Sequence, residues 1–274
     1  MLSKLISYEF KATRRLFLPA YGVVLILSIL NGIFVALPSS TLDNISAPFG
    51  VIMTVYILAM FAVCVLTFAY MINRFYKNLL GDEGYLMFTL PARPSELIWA
   101  KCITSSLWML FTAIVCTASL FLLMMPAIVT TNGGHMIVDG NVVSLWSQIL
   151  RIIGDIWNYY HVHTITSPLV LIVLGVIWVA NFCMHIYACL AIGSLANKHR
   201  LGCAFLAYLG FGVLMEILLI IVASLPNFPF HISIPDGLPG TYLGIAVVIA
   251  YYFVNLLVNF VITNYILSRR LNLQ

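Results

Sequence analysis

Long, uninterrupted apolar runs are the feature that most constrains this chain. Six runs extend over approximately 16–37, 48–73, 96–129, 166–196, 201–225 and 241–268. A bilayer core about 30 Å thick requires about 20 apolar residues in a helix. The runs are continuous and not alternating, which favours helices over strands. Because a backbone in lipid must satisfy its own hydrogen bonds, the sequence predicts an all-α polytopic membrane protein with six transmembrane helices.

The composition agrees with this prediction. The 274 residues are 62% apolar and only 8% charged, whereas a soluble domain carries about 25% charged residues. We therefore expect a single transmembrane domain over residues 1–274, with membrane lipid as its surroundings. The formal net charge of +4 comes from short basic clusters beside the predicted spans, and this pattern argues against a nucleic-acid partner.

The distribution of Lys and Arg predicts the orientation. Every Lys and Arg except Arg151 falls on one predicted side, before the first span, within or beside the second connection, in the fourth connection or after the last span. Basic residues are enriched in cytoplasmic segments. We therefore expect a multi-pass membrane protein with both termini in the cytoplasm. The loop at 74–95 is then cytoplasmic and the loop at 130–165 extracytoplasmic.

Two amphipathic segments accompany the spans. Residues 2–15 predict a short N-terminal helix on the cytoplasmic surface. In the outer loop, apolar residues recur at helical spacing, with Arg151 and Asp155 as an i,i+4 pair on the polar face. The apolar set is Leu145, Ile149, Ile152, Ile153, Ile156, Trp157 and Tyr160. We interpret the loop as a helix in the outer interface, with a re-entrant or packed loop helix as the alternative.

Polar side chains inside the predicted spans are candidates for a pathway. They are Asn181, His185, Glu216, Asn255 and Asn259. An ionisable group within a membrane costs about 2.5–3.5 kcal/mol at mid-span and is a functional candidate by default. Polar groups at helical spacing also hold neighbouring helices together, and this alternative is favoured for the Asn and His residues.

Enzyme motifs are missing from the sequence. It contains no G-x-x-x-x-G-K-[ST], no H-E-x-x-H and no G-x-S-x-G, which are the patterns of P-loop ATPases, zinc proteases and α/β-hydrolases. We predict no catalytic residue, cofactor or metal in this chain. The H-x-H at His161 and His163 could chelate a metal on an extended segment, but it follows Trp157, Tyr159 and Tyr160, which resemble an aromatic belt. If the protein moves a substrate against a gradient, another chain is expected to supply the energy.

The stretch "GDEGYLMFTLPARPSELIWAK", beginning at Gly81, interrupts the lipid-compatible pattern. Apolar and aromatic residues lie between charged ones in a segment expected to face the cytoplasm. They either fold back onto the membrane surface or form an apolar knob, surrounded by a charged rim, that binds a cytoplasmic partner. The residues of this predicted site are Asp82, Glu83, Gly84, Tyr85, Leu86, Phe88 and Arg93.

This stretch resembles the E-G-Y-L-x-F-T-L-P segment of ABC-2-type transporter permeases of Gram-positive bacteria, and "IGSLANKHRLG", from Ile192 to Gly202, resembles their connection between the fourth and fifth spans. The resemblance covers essentially the whole chain. It implies a dimeric membrane portion, formed with a second copy or a paralogue, and two separate ATP-binding subunits that hold ATP and Mg. It also implies that the segment after the second span is the coupling loop that docks into the ATPase. The large outer loop departs from the family pattern.

Three functions are compatible with these features. The first is the permease subunit of an ABC exporter that moves an amphipathic substrate, such as a peptide, an antibiotic or a lipid-like molecule. The second is an intramembrane enzyme using His185 and Glu216, which requires both groups to meet in one polar cavity. The third is a non-transporting membrane sensor or scaffold with the outer loop as receptor.

Overall fold

The computed structural model describes residues 2–35, 39–81, 84, 93–130, 135–138, 141–144, 147, 150–151, 154–155, 158, 167–196, 199–223 and 238–269. The chain divides into two compact units. Unit 1 comprises Met1–Phe10, Tyr70–Leu107 and His163–Gln274, and unit 2 comprises Lys11–Ala69 and Trp108–Val162. Each unit has its own core.

Long helices dominate the described residues, as predicted. They are α1 (Leu2–Val35), α2 (Ser39–Phe75), α3 (Pro94–Thr130), α4 (Ser167–Gly193), α5 (Arg200–Ala223) and α6 (Leu238–Arg269). Within the described part of the chain, five helical stretches are long and apolar enough to cross a membrane: Leu2–Val35, Phe49–Leu80, Pro94–Pro126, Ile172–Gly193 and Val248–Arg269. The prediction of a polytopic membrane protein is confirmed to that extent.

The predicted fifth span is the exception. Helix α5 forms where the sequence predicts it, but its described apolar stretch, Arg200–Met215, is shorter than a membrane crossing requires. The helix begins directly after His199, whose backbone has a φ of 58° and whose carbonyl accepts a hydrogen bond from the Cys203 amide at 3.0 Å. The count of six spans therefore stays a prediction.

The predicted N-terminal surface helix does not form an element of its own. Residues 2–15 form the first half of α1, which continues without a break through Pro19 to Val35. The reason lies in the local sequence, because residues 2–15 contain no Gly or Pro that would end a helix. Pro19 removes one backbone N–H donor, but the helix extends through it.

The ends of α2 and α3 border the predicted coupling loop. Helix α2 passes into a π-helical turn, Tyr76–Leu80, which is followed by Gly81. Gly81 has a φ of −97°, so it does not use the left-handed conformation of a helix-ending glycine. Helix α3 begins at Pro94, and the Arg93 carbonyl accepts a hydrogen bond from the Glu96 amide at 2.9 Å. Proline suits this first helical position because it has no amide hydrogen to leave unpaired.

A short β-hairpin departs from the all-α prediction. Strands β1 (His135–Val138) and β2 (Asn141–Ser144) pair antiparallel, with Met136 opposite Val143. Both strands are rich in β-branched residues, which favour extended backbone. Farther along the outer loop, Ser147, Leu150, Arg151, Gly154, Asp155 and Asn158 are helical. The predicted pair of Arg151 and Asp155 forms at 4.0 Å and is exposed, whereas the predicted apolar face of this helix, His161 and His163 lie outside the described residues.

Hydroxyl groups and one indole connect the helices of unit 2. Tyr21 Oη and Thr112 Oγ1 lie 2.8 Å apart, and Thr112 Oγ1 lies 3.0 Å from Thr67 Oγ1. The Trp108 Nε1 atom donates to Thr13 Oγ1 at 2.7 Å. These contacts join α1 to α3 and α2 to α3 through buried polar groups. In lipid, such bonds and close packing drive helix association, because the apolar environment gives no hydrophobic advantage.

The core of unit 1 is centred on α4, which packs against both α5 and α6. The approach of α4 to α5 depends on Gly193, where an added Cβ atom would lie 2.5 Å from the Ala204 Cβ atom. In the same core, the Phe75 and Tyr187 rings stack with centroids 4.0 Å apart. Both rings are fully buried, so α4 is held on several sides.

A similar close approach in unit 2 gives a test of the packing. A Cβ atom at Gly32 would lie 2.8 Å from the Leu123 carbonyl oxygen and 3.0 Å from the Leu122 carbonyl oxygen. We expect Gly32→Ala to destabilise the protein by about 1–3 kcal/mol, as overpacking does. The measurement is the apparent Tm of the detergent-purified protein.

Gly22→Ala is the matched control, because Gly22 lies on the same helix and no described atom is within 4 Å of its Cβ position. Its apparent Tm should equal or slightly exceed that of the unaltered protein, since alanine favours the helix. Equal values of the apparent Tm for the two variants would contradict the packing of α1 against α3.

Candidate functional site

A carboxylate bound by two cations lies within unit 1. The Glu9 Oε2 atom accepts a hydrogen bond from Arg74 Nε at 2.5 Å, and its Oε1 atom accepts one from Lys101 Nζ at 2.6 Å. The Glu9 and Lys101 side chains are 10% and 5% exposed, and the Arg74 side chain is 21% exposed. We call these three residues the ion triad.

The position of the ion triad relates it to the predicted coupling loop. Arg74 lies on α2, roughly two helical turns before Gly81. Lys101 lies on α3, roughly two turns after Arg93. Glu9 on α1 therefore binds both helices that flank residues 82–92.

Further contacts fix the end of α2 in place. The Tyr70 hydroxyl accepts a hydrogen bond from Arg74 Nη1 at 2.9 Å. One residue farther along, Phe75 stacks on Tyr187 of α4, and the Tyr187 hydroxyl lies 2.5 Å from Ser105 Oγ on α3. The segment that leads into residues 82–92 is thus connected to both α3 and α4.

The ion triad combines a large desolvation cost with a strong attraction between its charges. Moving a charge out of water costs several kcal/mol, and the mutual attraction offsets this cost only when the geometry is good. The two short contacts of Glu9 meet that condition. Removing the Glu9 carboxylate takes away the anion that both cations share, and breaking a buried pair costs about 3–5 kcal/mol in comparable proteins.

The coupling-loop residues are only partly described. Gly84 is buried, and its amide donates to the Gly81 carbonyl at 2.8 Å. Arg93 is exposed and caps the start of α3. Five of the predicted residues lie outside the described part of the chain: Asp82, Glu83, Tyr85, Leu86 and Phe88. Their docking role stays a prediction.

A cavity of about 280 Å³ lies among α4, α5 and α6. Three of the five polar residues singled out from the sequence, Asn181, His185 and Asn255, line this cavity together. The described lining residues are Trp178, Asn181, Phe182, His185, Gly212, Met215, Tyr251 and Asn255. The i,i+4 spacing of Asn181 and His185 puts both on one face of α4, and the fold brings Asn255 to that face from α6.

The other two polar candidates, Asn259 and Glu216, are not among the described lining residues. Asn259 is fully buried and donates from Nδ2 to Asn255 Oδ1 at 2.5 Å. This bond lies within α6, so it does not join two helices. The Glu216 side chain lies outside the described residues, and the hypothesis of an enzyme using Glu216 with His185 stays untested.

Aromatic rings surround His185. Its imidazole centroid lies 5.2 Å from the Tyr208 ring and 5.2 Å from the Phe211 ring, both on α5. The Nε2 atom lies 3.8 Å from Cys189 Sγ, one turn along α4. These contacts hold the imidazole at the cavity wall by packing.

Sequence reasoning missed the ion triad, although two signals pointed to it. Lys101 falls inside the predicted span at 96–129, where a lysine requires a partner. Glu9 is the lone carboxylate among the basic residues of the N-terminal segment. What the sequence could not supply was the meeting of these distant positions, which lie 92 residues apart.

Comparisons of the chain with protein-family models, with curated proteins and with solved structures found no match.

The ion triad can be tested by a near-isosteric substitution. Glu9→Gln removes the negative charge and leaves Arg74 and Lys101 without it, so we expect a loss of about 3–5 kcal/mol of stability. The measurement is the apparent Tm and the monodisperse fraction after detergent extraction. In a double-mutant cycle, Glu9→Gln and Lys101→Gln should couple by about 0.5–3 kcal/mol.

The exposed pair of the outer loop is the control. Asp155→Asn removes a carboxylate whose side chain is 73% exposed, and exposed pairs contribute about 0–1 kcal/mol. Its apparent Tm should match that of the unaltered protein. A Glu9→Gln variant as stable as the Asp155→Asn variant would refute the structural role of the ion triad.

Proposed function

We propose that this chain is the permease subunit of an ABC exporter in the bacterial cell membrane. It moves an amphipathic substrate, and ATP is hydrolysed by separate ATP-binding subunits. Two permease chains form the membrane portion, and both termini face the cytoplasm. The support comes from the resemblance of residues 81–101 and 192–202 to permease segments, and from the five long apolar helices.

The observation that carries the proposal is the ion triad. A coupling loop transmits force only if its flanking helices are attached to the rest of the membrane domain. Glu9 bonds to Arg74 before the loop and to Lys101 after it, at 2.5 and 2.6 Å. A displacement of residues 82–92 by an ATPase is therefore passed to α1, α2 and α3 together.

The competing functions receive less support. An intramembrane enzyme requires convergent acid–base groups, and the described residues around the cavity include His185 but no carboxylate. A sensor or scaffold would need its receptor in the outer loop, where the described residues form a small hairpin and short helical stretches. Neither observation favours an enzyme or a sensor over the permease.

The coupling assignment predicts a separation of function. Glu83→Ala and Tyr85→Ala remove a charged rim residue and an aromatic knob from the docking segment, and neither side chain is expected to support the fold. We expect each variant to retain a normal apparent Tm and to lose at least tenfold of the co-purifying ATPase, since one interface hot spot contributes about 2 kcal/mol or more. Co-purified protein is quantified by mass spectrometry, together with Mg-ATP turnover of the isolated complex.

Asp155→Ala is the matched control, because it removes an exposed carboxylate from the opposite predicted side. It should leave ATPase recovery unchanged. Full recovery of the ATPase and full ATP turnover in both loop variants would contradict the assignment of this loop as the site of ATPase coupling. A complex that turns over ATP but moves no substrate in sealed vesicles would favour the sensor.

A further inference from the structure

We propose that the cavity among α4, α5 and α6 binds the uncharged amide group of an amphiphile that enters from the bilayer. The inference rests on the proposed function, since it identifies the chemical class of the exported substrate. The amide is recognised by two asparagines, and the apolar body of the substrate lies along aromatic side chains.

An unpaired acceptor and an available donor line the same cavity. Asn181 is 9% exposed, and its Oδ1 atom is buried without a hydrogen-bond partner among the described residues. Asn255 is 6% exposed, and its Oδ1 atom already accepts from Asn259, which leaves its amide nitrogen as the donor. A buried polar group without a partner costs about 1–3 kcal/mol, so a ligand that pairs with Asn181 recovers this energy.

A secondary amide matches this pair of groups. Its N–H can donate to the Asn181 oxygen, and its carbonyl can accept from the Asn255 nitrogen. An ester or ether offers acceptors alone and leaves Asn181 unpaired. Recognition of this kind discriminates strongly, because a site built for hydrogen bonds rejects an analogue that lacks them.

The lining also specifies the charge of the ligand. The described residues that line the cavity include no Lys, Arg, Asp or Glu. Asn181 and His185 lie near the middle of the apolar stretch Ile172–Gly193, where an unpaired charge is costly. A neutral polar group is therefore favoured over a carboxylate, a phosphate or an ammonium.

Aromatic side chains accommodate the apolar part of the ligand. Trp178 and Phe182 lie on α4 with their rings stacked at 5.9 Å, and Tyr251 adds a further ring from α6. Planar amides and acyl chains both pack well on such faces, and aromatic residues with a few fixed polar groups are typical of small-molecule sites.

Size and access favour a ligand that is only partly enclosed. The volume of about 280 Å³ is close to the lower limit of small-molecule sites, about 300–1,000 Å³. It holds a head group and not a whole peptide. Trp178 is 51% exposed at the cavity edge, within an apolar stretch long enough to cross a membrane. The rest of the amphiphile can thus remain in the lipid.

A matched pair of photo-activatable probes tests the proposal. The first is a dodecanoyl benzylamide that carries a diazirine, and the second is its N-methyl counterpart, which has the same carbonyl but no N–H. The full chain in phospholipid nanodiscs is irradiated with each probe over a concentration series. Labelled peptides are mapped by mass spectrometry. The secondary amide should label the segment around Trp178–His185 with an apparent Kd about tenfold lower than its N-methyl counterpart, as expected for one buried hydrogen bond.

Substitutions locate the recognition groups. Asn181→Leu and Asn255→Leu should each weaken labelling by the secondary amide about tenfold and abolish its advantage over the N-methyl probe. Asn31→Leu is the control, since Asn31 is also a buried asparagine but belongs to unit 2. The probe comparison on the unaltered chain stands even if one variant does not fold.

Several results would overturn the proposal. They are equal labelling by the two probes, labelling away from α4, α5 and α6, or labelling that Asn181→Leu and Asn255→Leu leave unchanged. A cavity covered by a second copy, detected as intermolecular crosslinking through Trp178→Cys, would also refute it. The assay uses neither ATP nor an ATPase, so its failure is distinguishable from failure of the proposed function, which appears as missing ATPase in the purified complex.

Discussion

The two hydrogen bonds of the Glu9 carboxylate are the interaction on which the arrangement around residues 82–92 depends. Three helices of unit 1 contribute one charged side chain each, and the charges have little contact with solvent. The attraction within a buried ion pair offsets the cost of desolvation only when the geometry is good. The ion triad therefore gives the flanking helices a defined register.

The helices of the two units are joined by different polar contacts. Unit 2 joins its helices mainly through hydroxyl groups and the Trp108 indole, with Thr112 shared between two partners. Unit 1 combines the ion triad, a stacked ring pair and the close approach at Gly193. Neutral hydroxyl bonds suit hydrocarbon depth, where charge is expensive, and the charged contacts lie at helix positions near the ends of apolar stretches.

Hydropathy and helix-boundary signals predicted most of the helices, because a membrane backbone has few alternatives. The hairpin at His135 was missed since four-residue strands have weak periodicity. The spacing of Asn181 and His185 predicted that both lie on one face of a helix. That Asn255 lies beside them on another helix depends on tertiary packing, which a single sequence does not show.

The π-helical turn at Tyr76–Leu80 has a consequence for the direction of the chain that follows it. A π turn contains about one residue more than an α turn, and each residue of an α-helix advances the direction by about 100°. Beyond Phe75, side chains therefore point in directions that differ from those an uninterrupted α-helix would give. The turn therefore rotates the backbone about the helix axis and sets the direction in which the chain leaves α2.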